Sequence, residues 1–241
     1  MPSDATRLAA LAAVGPAPIA IDNGVLESAK WIGLAAMTID HVNTYLLHGA
    51  HAWMYQVGRI AMPLFGIALA AHLAAPGALQ KGGPAARMTA RLAVFGLLAQ
   101  IPFTLLRGGP WPPTLLNVML LMLLVVAFLR LSASGQPLHR VAAWTALLLA
   151  GAAVEFWWVG AAVILTIRSW LTAPTPQRTS AAVLALALLC ALTMSVVPLA
   201  APLIVWGLAW ARATIPRARL LFYGYYPLHL AVLVALGGGP K

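Results

Sequence analysis

Asp40 and His41 stand side by side in Met37-Thr38-Ile39-Asp40-His41, in the middle of an apolar run over 29–47 that is long enough to cross a bilayer. An ionised Asp at the centre of a membrane helix costs about 2.5–3.5 kcal/mol on insertion scales. Something must offset that cost, so this side of the helix is expected to face other helices or a wet cavity rather than lipid. Thr38, Asn43, Thr44, Tyr45 and His48 add to the polar character. At helical spacing Thr38, His41, Tyr45 and His48 form one stripe, and Asp40 and Thr44 form the stripe beside it. The bland alternative is a polar patch that ties one helix into a bundle. An acid, a histidine and a polar arc together favour chemistry, because His can act as a base near neutral pH. Neighbouring side chains diverge by about 100° around a helix, so Asp40 is expected to orient His41 or a neighbour through the arc, not to pair with it directly.

A second histidine, His229, lies in Phe222-Tyr223-Gly224-Tyr225-Tyr226-Pro227-Leu228-His229-Leu230. It is roughly 14 Å into its span at the helical rise, close to the depth of His41. Two histidines and an aspartate at mid-membrane suit proton transfer. They are also a permitted metal-ligand set, but no His-x-x-x-His spacing supports a metal, and none is expected. His229 is the second choice for the base. Arg59, in Gly58-Arg59-Ile60-Ala61-Met62-Pro63-Leu64-Phe65-Gly66, enters its span by roughly 8 Å. It either snorkels to the headgroups or supplies the counter-charge for Asp40. Gln100 sits beside Pro102, where the missing amide frees a carbonyl one turn back. It serves that kink or a ligand. Asn117 is a similar case, and with Arg59 it is a candidate for stabilising an oxyanion. Glu155 falls beside Trp157 and Trp158, which read as an interfacial aromatic belt. Tyr226 joins Arg59, Asn117, Gln100 and Glu155 among the substrate-binding candidates.

These residues need a scaffold, and the composition says which. Of 241 residues 62% are hydrophobic and 8% charged, where a soluble domain carries about 25% charged residues. The expected class is an all-α integral membrane protein. Gly, Pro and basic residues divide the chain into about nine spans, near 29–47, 54–75, 88–106, 114–131, 141–154, 156–171, 179–197, 199–212 and 220–237. Residues 1–28 read as an N-terminal tail and 29–241 as one transmembrane domain. The net charge of +10 would suggest nucleic acid in a soluble protein. Here the basic residues lie between apolar runs, so no nucleic-acid partner is expected. With the N-terminus in the cytoplasm, Arg7, Lys30, Lys81, Arg87, Arg91, Arg130, Arg140, Arg168, Arg178, Arg212, Arg217 and Arg219 fall inside. Only Arg107 and Lys241 fall outside, a bias that also supports an odd number of spans. The lone Cys190 cannot form an intramolecular disulfide.

The blocks Met37–His41, Gly58–Phe65, Arg91–Phe103, Leu116-Asn117-Val118 and Phe222–Leu230, in this order and spacing, resemble the TraX family of membrane proteins. The resemblance covers nearly the whole chain from residue 29. It implies N-acetylation of a pilin subunit, as in conjugative F-pilin processing, in the bacterial inner membrane. TraX proteins are similar in turn to a wider acyltransferase-3-like superfamily, which includes sugar O-acyltransferases and the lysosomal heparan-α-glucosaminide acetyltransferase. Its members pass an acyl group from acyl-CoA to an acceptor at or across the membrane, using an intramembrane His. That role falls on His41, with Asp40 beside it. The family's acid-Tyr-Gly block reads Glu155-Phe156-Trp157-Trp158-Val159-Gly160 here, a departure that bears on acceptor specificity.

The reading is therefore a polytopic acetyl-CoA-dependent acyltransferase acting on an amine or hydroxyl, with a pilin or another membrane-associated acceptor. Cytoplasmic arginines, Arg87 and Arg91 after the second span and Arg217 and Arg219 after the eighth, are candidates for the acyl-CoA phosphates, since Arg binds phosphate with bidentate geometry. The same arginines would also serve simply to set topology. One rival is a proton-coupled small-molecule transporter with Asp40, His41 and His229 as a relay, though inverted repeats are not evident. Another is a non-catalytic pilus assembly factor.

Overall fold

In the computed structural model, which describes residues 17–111, 113–216, 218 and 220–239, the chain is a bundle of helices. The first, α1 (Asn23–Tyr45), starts six residues before the expected span and within the expected tail. The reason is local. Asp22 caps it, its side chain accepting from the backbone N–H groups of Gly24 and Val25. Ile19 ahead of the cap donates to Leu171 O at 2.8 Å, which ties this stretch into the bundle.

The expected second span is two helical pieces, α2 (Ala52–Gly58) and α3 (Ala61–Ala74). Pro63 has no N–H to offer the carbonyl of Arg59, so the regular ladder fails there. Tighter bonds take over, from Arg59 N to Gln56 O and from Ile60 N to Val57 O. The break falls at Arg59. α4 (Pro84–Arg107) begins with a proline, carries Pro102 inside, and ends on Gly108 in the left-handed conformation at φ 61°. α5 (Val118–Ser132) is capped by Asn117. α6 (Pro137–Gly151), α7 (Trp157–Thr172) and α8 (Pro176–Thr193) follow. A 3₁₀ turn, Val197–Leu199, runs straight into α9 (Ala200–Trp210). The last helix is α10 (Leu221–Ala235).

α1 packs along α2 and α3, α3 along α7, α5 against α4 and α6, and α10 along α4. Residues from nearly every helix form one apolar core, including Leu64, Leu121, Val125, Ile164, Leu189 and Leu230. The outer faces are apolar as well. On α4, Val94, Leu97, Leu98, Ile101 and Leu105 are exposed at helical spacing, and on α6 so are Val141, Trp144, Leu148 and Leu149. Apolar outside as well as inside is what a bilayer solvent requires. Three helical stretches, Ala52–Ala74, Pro84–Arg107 and Pro176–Thr193, are long and apolar enough to cross a membrane. Of these, Ala52–Ala74 comprises α2 and α3 together.

Candidate active site

α1 carries the acid and the first histidine on diverging faces, and each finds its own partner, one at the break between α2 and α3 and one on α10. Asp40 meets Arg59 in an ion pair through Oδ2 and Nη2, and both side chains are largely buried. The break after Gly58 aims Arg59 inward, and its Nε donates to Tyr55 O at 3.1 Å. The guanidinium lies 4.1 Å from the centre of the Tyr55 ring, a cation–π contact. Of the two readings open for Arg59, the structure adopts the pairing with Asp40.

His41 reaches the opposite way, to α10. Its Nδ1 lies 2.7 Å from His229 Nε2, while His229 Nδ1 lies 3.0 Å from Tyr225 O. Next to this pair Thr38 donates to Leu34 O at 2.8 Å, so the Tyr225 hydroxyl, 2.8 Å away, donates to Thr38. Tyr45 sets its ring edge to face with His41, centroids 5.6 Å apart, and buried Tyr226 flanks both histidines. Three members of the expected stripe, Thr38, His41 and Tyr45, thus face the interior. His48 does not, because α1 ends at Tyr45 and the chain turns away with His48 exposed.

Gln100 and Asn117 hold helices together. Asn117 accepts from Met119 N and Leu120 N as the cap of α5, and its amide nitrogen donates to Gly96 O and Gln100 Oε1. Gln100 in turn donates to Leu115 O and Thr104 Oγ1, not to the carbonyl that Pro102 frees. Both are buried, with their polar atoms committed to one another and to backbone, and neither lines the cavities described below. They fix the start of α5 against α4, which is the structural of the two roles expected for them.

Glu155 sits in the turn between α6 and α7. Its N–H donates to Leu116 O at 2.8 Å, Leu116 N donates to Ala153 O at 2.6 Å, and Glu155 Oε2 accepts from Val118 N at 3.0 Å. Phe156 and Trp157 follow with φ of 60° and 50°, left-handed values that non-glycine residues adopt only under constraint. Burial pushes the Glu155 carboxyl up to about 6, against the pull of nearby Arg107.

Two cavities occupy the space among α1, α3, α4, α5 and α10. The first, about 280 Å³, is lined by Glu27, Lys30, His72, Arg87, Arg91 and Tyr223 among others. The second, about 390 Å³, is lined by Asp40, His41, Tyr55, Arg59, Arg107 and Glu155 among others. They lie toward opposite ends of the bundle: α1 enters the first near Lys30 and leaves the second near Tyr45. These residues are about 22 Å apart at the helical rise, most of the way through a hydrocarbon layer of about 30 Å. Met37, Phe65, Val118, Met122 and Tyr226 line both cavities and form the boundary between them. Arg87 and Arg91 therefore share one cavity, with Lys30 beside them. Arg217 and Arg219 lie outside the described residues.

Four contributors escaped the sequence. Tyr55 stands four residues before Arg59, the spacing at which helical side chains meet, so that contact was available to a reader. Lys30, Arg107 and His72 looked like topology charges or ordinary span residues, and only the packing brings them to the cavities. Among the described residues no group of three His, Cys, Asp or Glu side chains is placed to hold a metal ion.

The fold and site define a helical membrane protein with a histidine pair and a largely buried ion pair at the second of two adjoining cavities. The chain belongs to the TraX family: the family's model, described as TraX protein, matches residues 25–237. No curated protein and no solved structure matches the chain.

Proposed function

We propose that this protein is an acetyl-CoA-dependent acyltransferase of the bacterial inner membrane, built on about nine spans with its N-terminus in the cytoplasm, an N-terminal tail and one transmembrane catalytic domain. It belongs in this reading with the wider multi-span, acyltransferase-3-like enzymes, and its acceptor is an amine or hydroxyl, by family the N-terminus of a pilin. One observation carries the reading: His41, in contact with His229, lines the second of two cavities that lie toward opposite ends of the bundle, next to Tyr226, which lines both. A donor and an acceptor entering from opposite sides would meet there.

The first cavity suits the donor. Lys30, Arg87 and Arg91 offer cations to the CoA phosphates near the cytoplasmic end, and its largely apolar wall toward Tyr226 suits the pantetheine arm. The second cavity suits the acceptor, with Tyr55, Arg107, Glu155 and Tyr226 as its recognition groups. The acceptor N–H or O–H gives its proton to the histidine pair as its nitrogen or oxygen attacks the thioester carbonyl. The tetrahedral adduct then collapses, the C–S bond breaks, and the CoA thiolate leaves with that proton. The products are the acetylated acceptor and free CoA. Arg59, held by Asp40, keeps a positive charge near the site of the developing oxyanion.

The test is transfer of radiolabelled acetyl from acetyl-CoA by the purified protein in lipid nanodiscs. The acceptors are a synthetic pilin N-terminal peptide and an amino sugar, and thiol release is followed in parallel. Transfer that His41→Ala lowers by about 10²–10⁴-fold, with acetyl-CoA binding retained, is the expected result. Absence of both acetyl-CoA binding and transfer by the wild-type protein would overturn the reading.

A further inference from the structure

The two histidines are not interchangeable, because their outer partners differ. A neutral imidazole has one N–H donor and one lone pair. His229 Nδ1 faces Tyr225 O at 3.0 Å, and a carbonyl oxygen only accepts. The proton of His229 is therefore on Nδ1, and its Nε2 carries the lone pair. That lone pair faces His41 Nδ1 at 2.7 Å, so His41 Nδ1 is the protonated atom and donates. The remaining nitrogen, His41 Nε2, then carries a lone pair. It has no hydrogen-bond partner among the described residues, and His41 lines the second cavity.

The ring geometry fits this direction. The His41 and His229 rings are within 8° of parallel with centroids 5.0 Å apart, farther than the bonded nitrogens. They meet edge to edge and almost in one plane, where a ring N–H and a ring lone pair align. The opposite polarity would set the lone pair of His229 Nδ1 against the Tyr225 carbonyl. A doubly protonated His229 would bury a further cation where Asp40, the carboxylate next to His41 in the chain, is already held by Arg59.

We infer that His41 Nε2 is the atom that takes the acceptor's proton and that His229 is a positioning residue that fixes the tautomer and plane of the His41 ring through a His41–His229–Tyr225 carbonyl chain. The inference rests on the acyltransferase reading and orders its two histidines. When the acceptor N–H or O–H bond breaks, the proton goes to His41 Nε2. The imidazolium keeps its Nδ1–H on His229, whose lone pair faces the new charge, and the proton leaves again on the CoA thiolate. His229 gains and loses no proton in the cycle. A third partner that sets which nitrogen of a base is free is worth orders of magnitude in rate where it has been removed.

The deciding experiment has one arm that needs no substrate. Nitrogen-15 histidine spectra of the ligand-free protein in nanodiscs, assigned by comparison with His41→Gln and His229→Gln, should give a pyrrole-like Nδ1 and a pyridine-like Nε2 for His41. In kinetics, His229→Ala should lower kcat on the order of 10²-fold or more while leaving the acetyl-CoA KM within about twofold. His229→Gln, whose side-chain oxygen can still accept from His41 Nδ1–H, should recover at least about tenfold of that loss. His41→Gln should not turn over. A pyridine-like Nδ1 on His41, a His229→Ala protein at wild-type kcat, or turnover by His41→Gln each overturns the assignment. If His229→Ala does not fold, the wild-type spectrum and the His229→Gln rate still decide it. The expected tautomer in a protein that transfers no acetyl group would retain the geometry and refute the acyltransferase reading alone.

Discussion

Gly58 lies directly against the side chain of Asp40: a Cβ placed on Gly58 would overlap both Cβ and Cγ of the aspartate. The absence of a side chain at 58 lets α2 close on α1 at this point, and Arg59, the next residue, thereby reaches the Asp40 carboxylate. The glycine and the arginine act as one device for bringing a charge pair into an apolar bundle.

Gly58→Ala is expected to separate α2 from α1 and loosen the ion pair. Overpacking of this kind costs about 1–3 kcal/mol. Thermal unfolding in detergent should show a lower Tm, and acyl transfer should fall with it. A Tm and a rate both equal to wild type would mean that the contact relaxes without cost.

Asp40→Asn and Arg59→Ala should each reduce stability by about 3–5 kcal/mol, because each leaves a buried charge without its partner. The double variant Asp40→Asn/Arg59→Ala is expected to be no worse than either single change. Denaturation of all three proteins in the same detergent gives the coupling directly, and fully additive losses would count against a functional pair.

Arg87→Gln/Arg91→Gln is expected to raise the KM for acetyl-CoA by about tenfold or more and leave the acceptor KM unchanged, since a hydrogen bond to a charged group is worth about 1.5–3 kcal/mol. Added salt should inhibit the wild type more than the variant. An unaltered KM in a correctly inserted variant would take these arginines out of the donor site and leave them as topology signals. Arg217→Gln/Arg219→Gln tests the second basic loop in the same way.

Glu155 gives a pH dependence whose sign is fixed by its raised value. The folded protein holds this carboxyl's proton up to about pH 6, above the ordinary 4.5. Its contribution to stability is therefore fully present below about pH 4.5 and is lost as pH rises through about 6. Tm measured across that window should fall with rising pH in the wild type and fall less in Glu155→Gln. Parallel curves for the two proteins would assign the slope to other groups.

The membrane class, the helical character and the pairing of Asp40 and His41 with a polar arc were all legible in the chain. Each rests on local information: apolar run length, helical periodicity, and the cost of an acid among apolar residues. The start of α1 was missed because the cap Asp22 lies in a stretch without apolar periodicity, where a single side chain decides the boundary. The sequence left Gln100 and Asn117 open between a structural and a ligand role for another reason. A buried amide looks the same in sequence whether it meets a ligand or a neighbouring backbone, and here the end of a helix had first claim on it.

By itself the sequence determined that charged groups would be buried in a helical membrane bundle and on which faces of α1 they lie, because periodicity and hydropathy act within one helix. Only the tertiary structure decided who meets whom. Arg59 reaches Asp40 through a helix break and a glycine contact, and His229, in the last helix, closes on His41 in the first. Such contacts depend on how far apart and at what rotation two helices pack. Those quantities are set by side chains from many elements at once, and no local pattern encodes them.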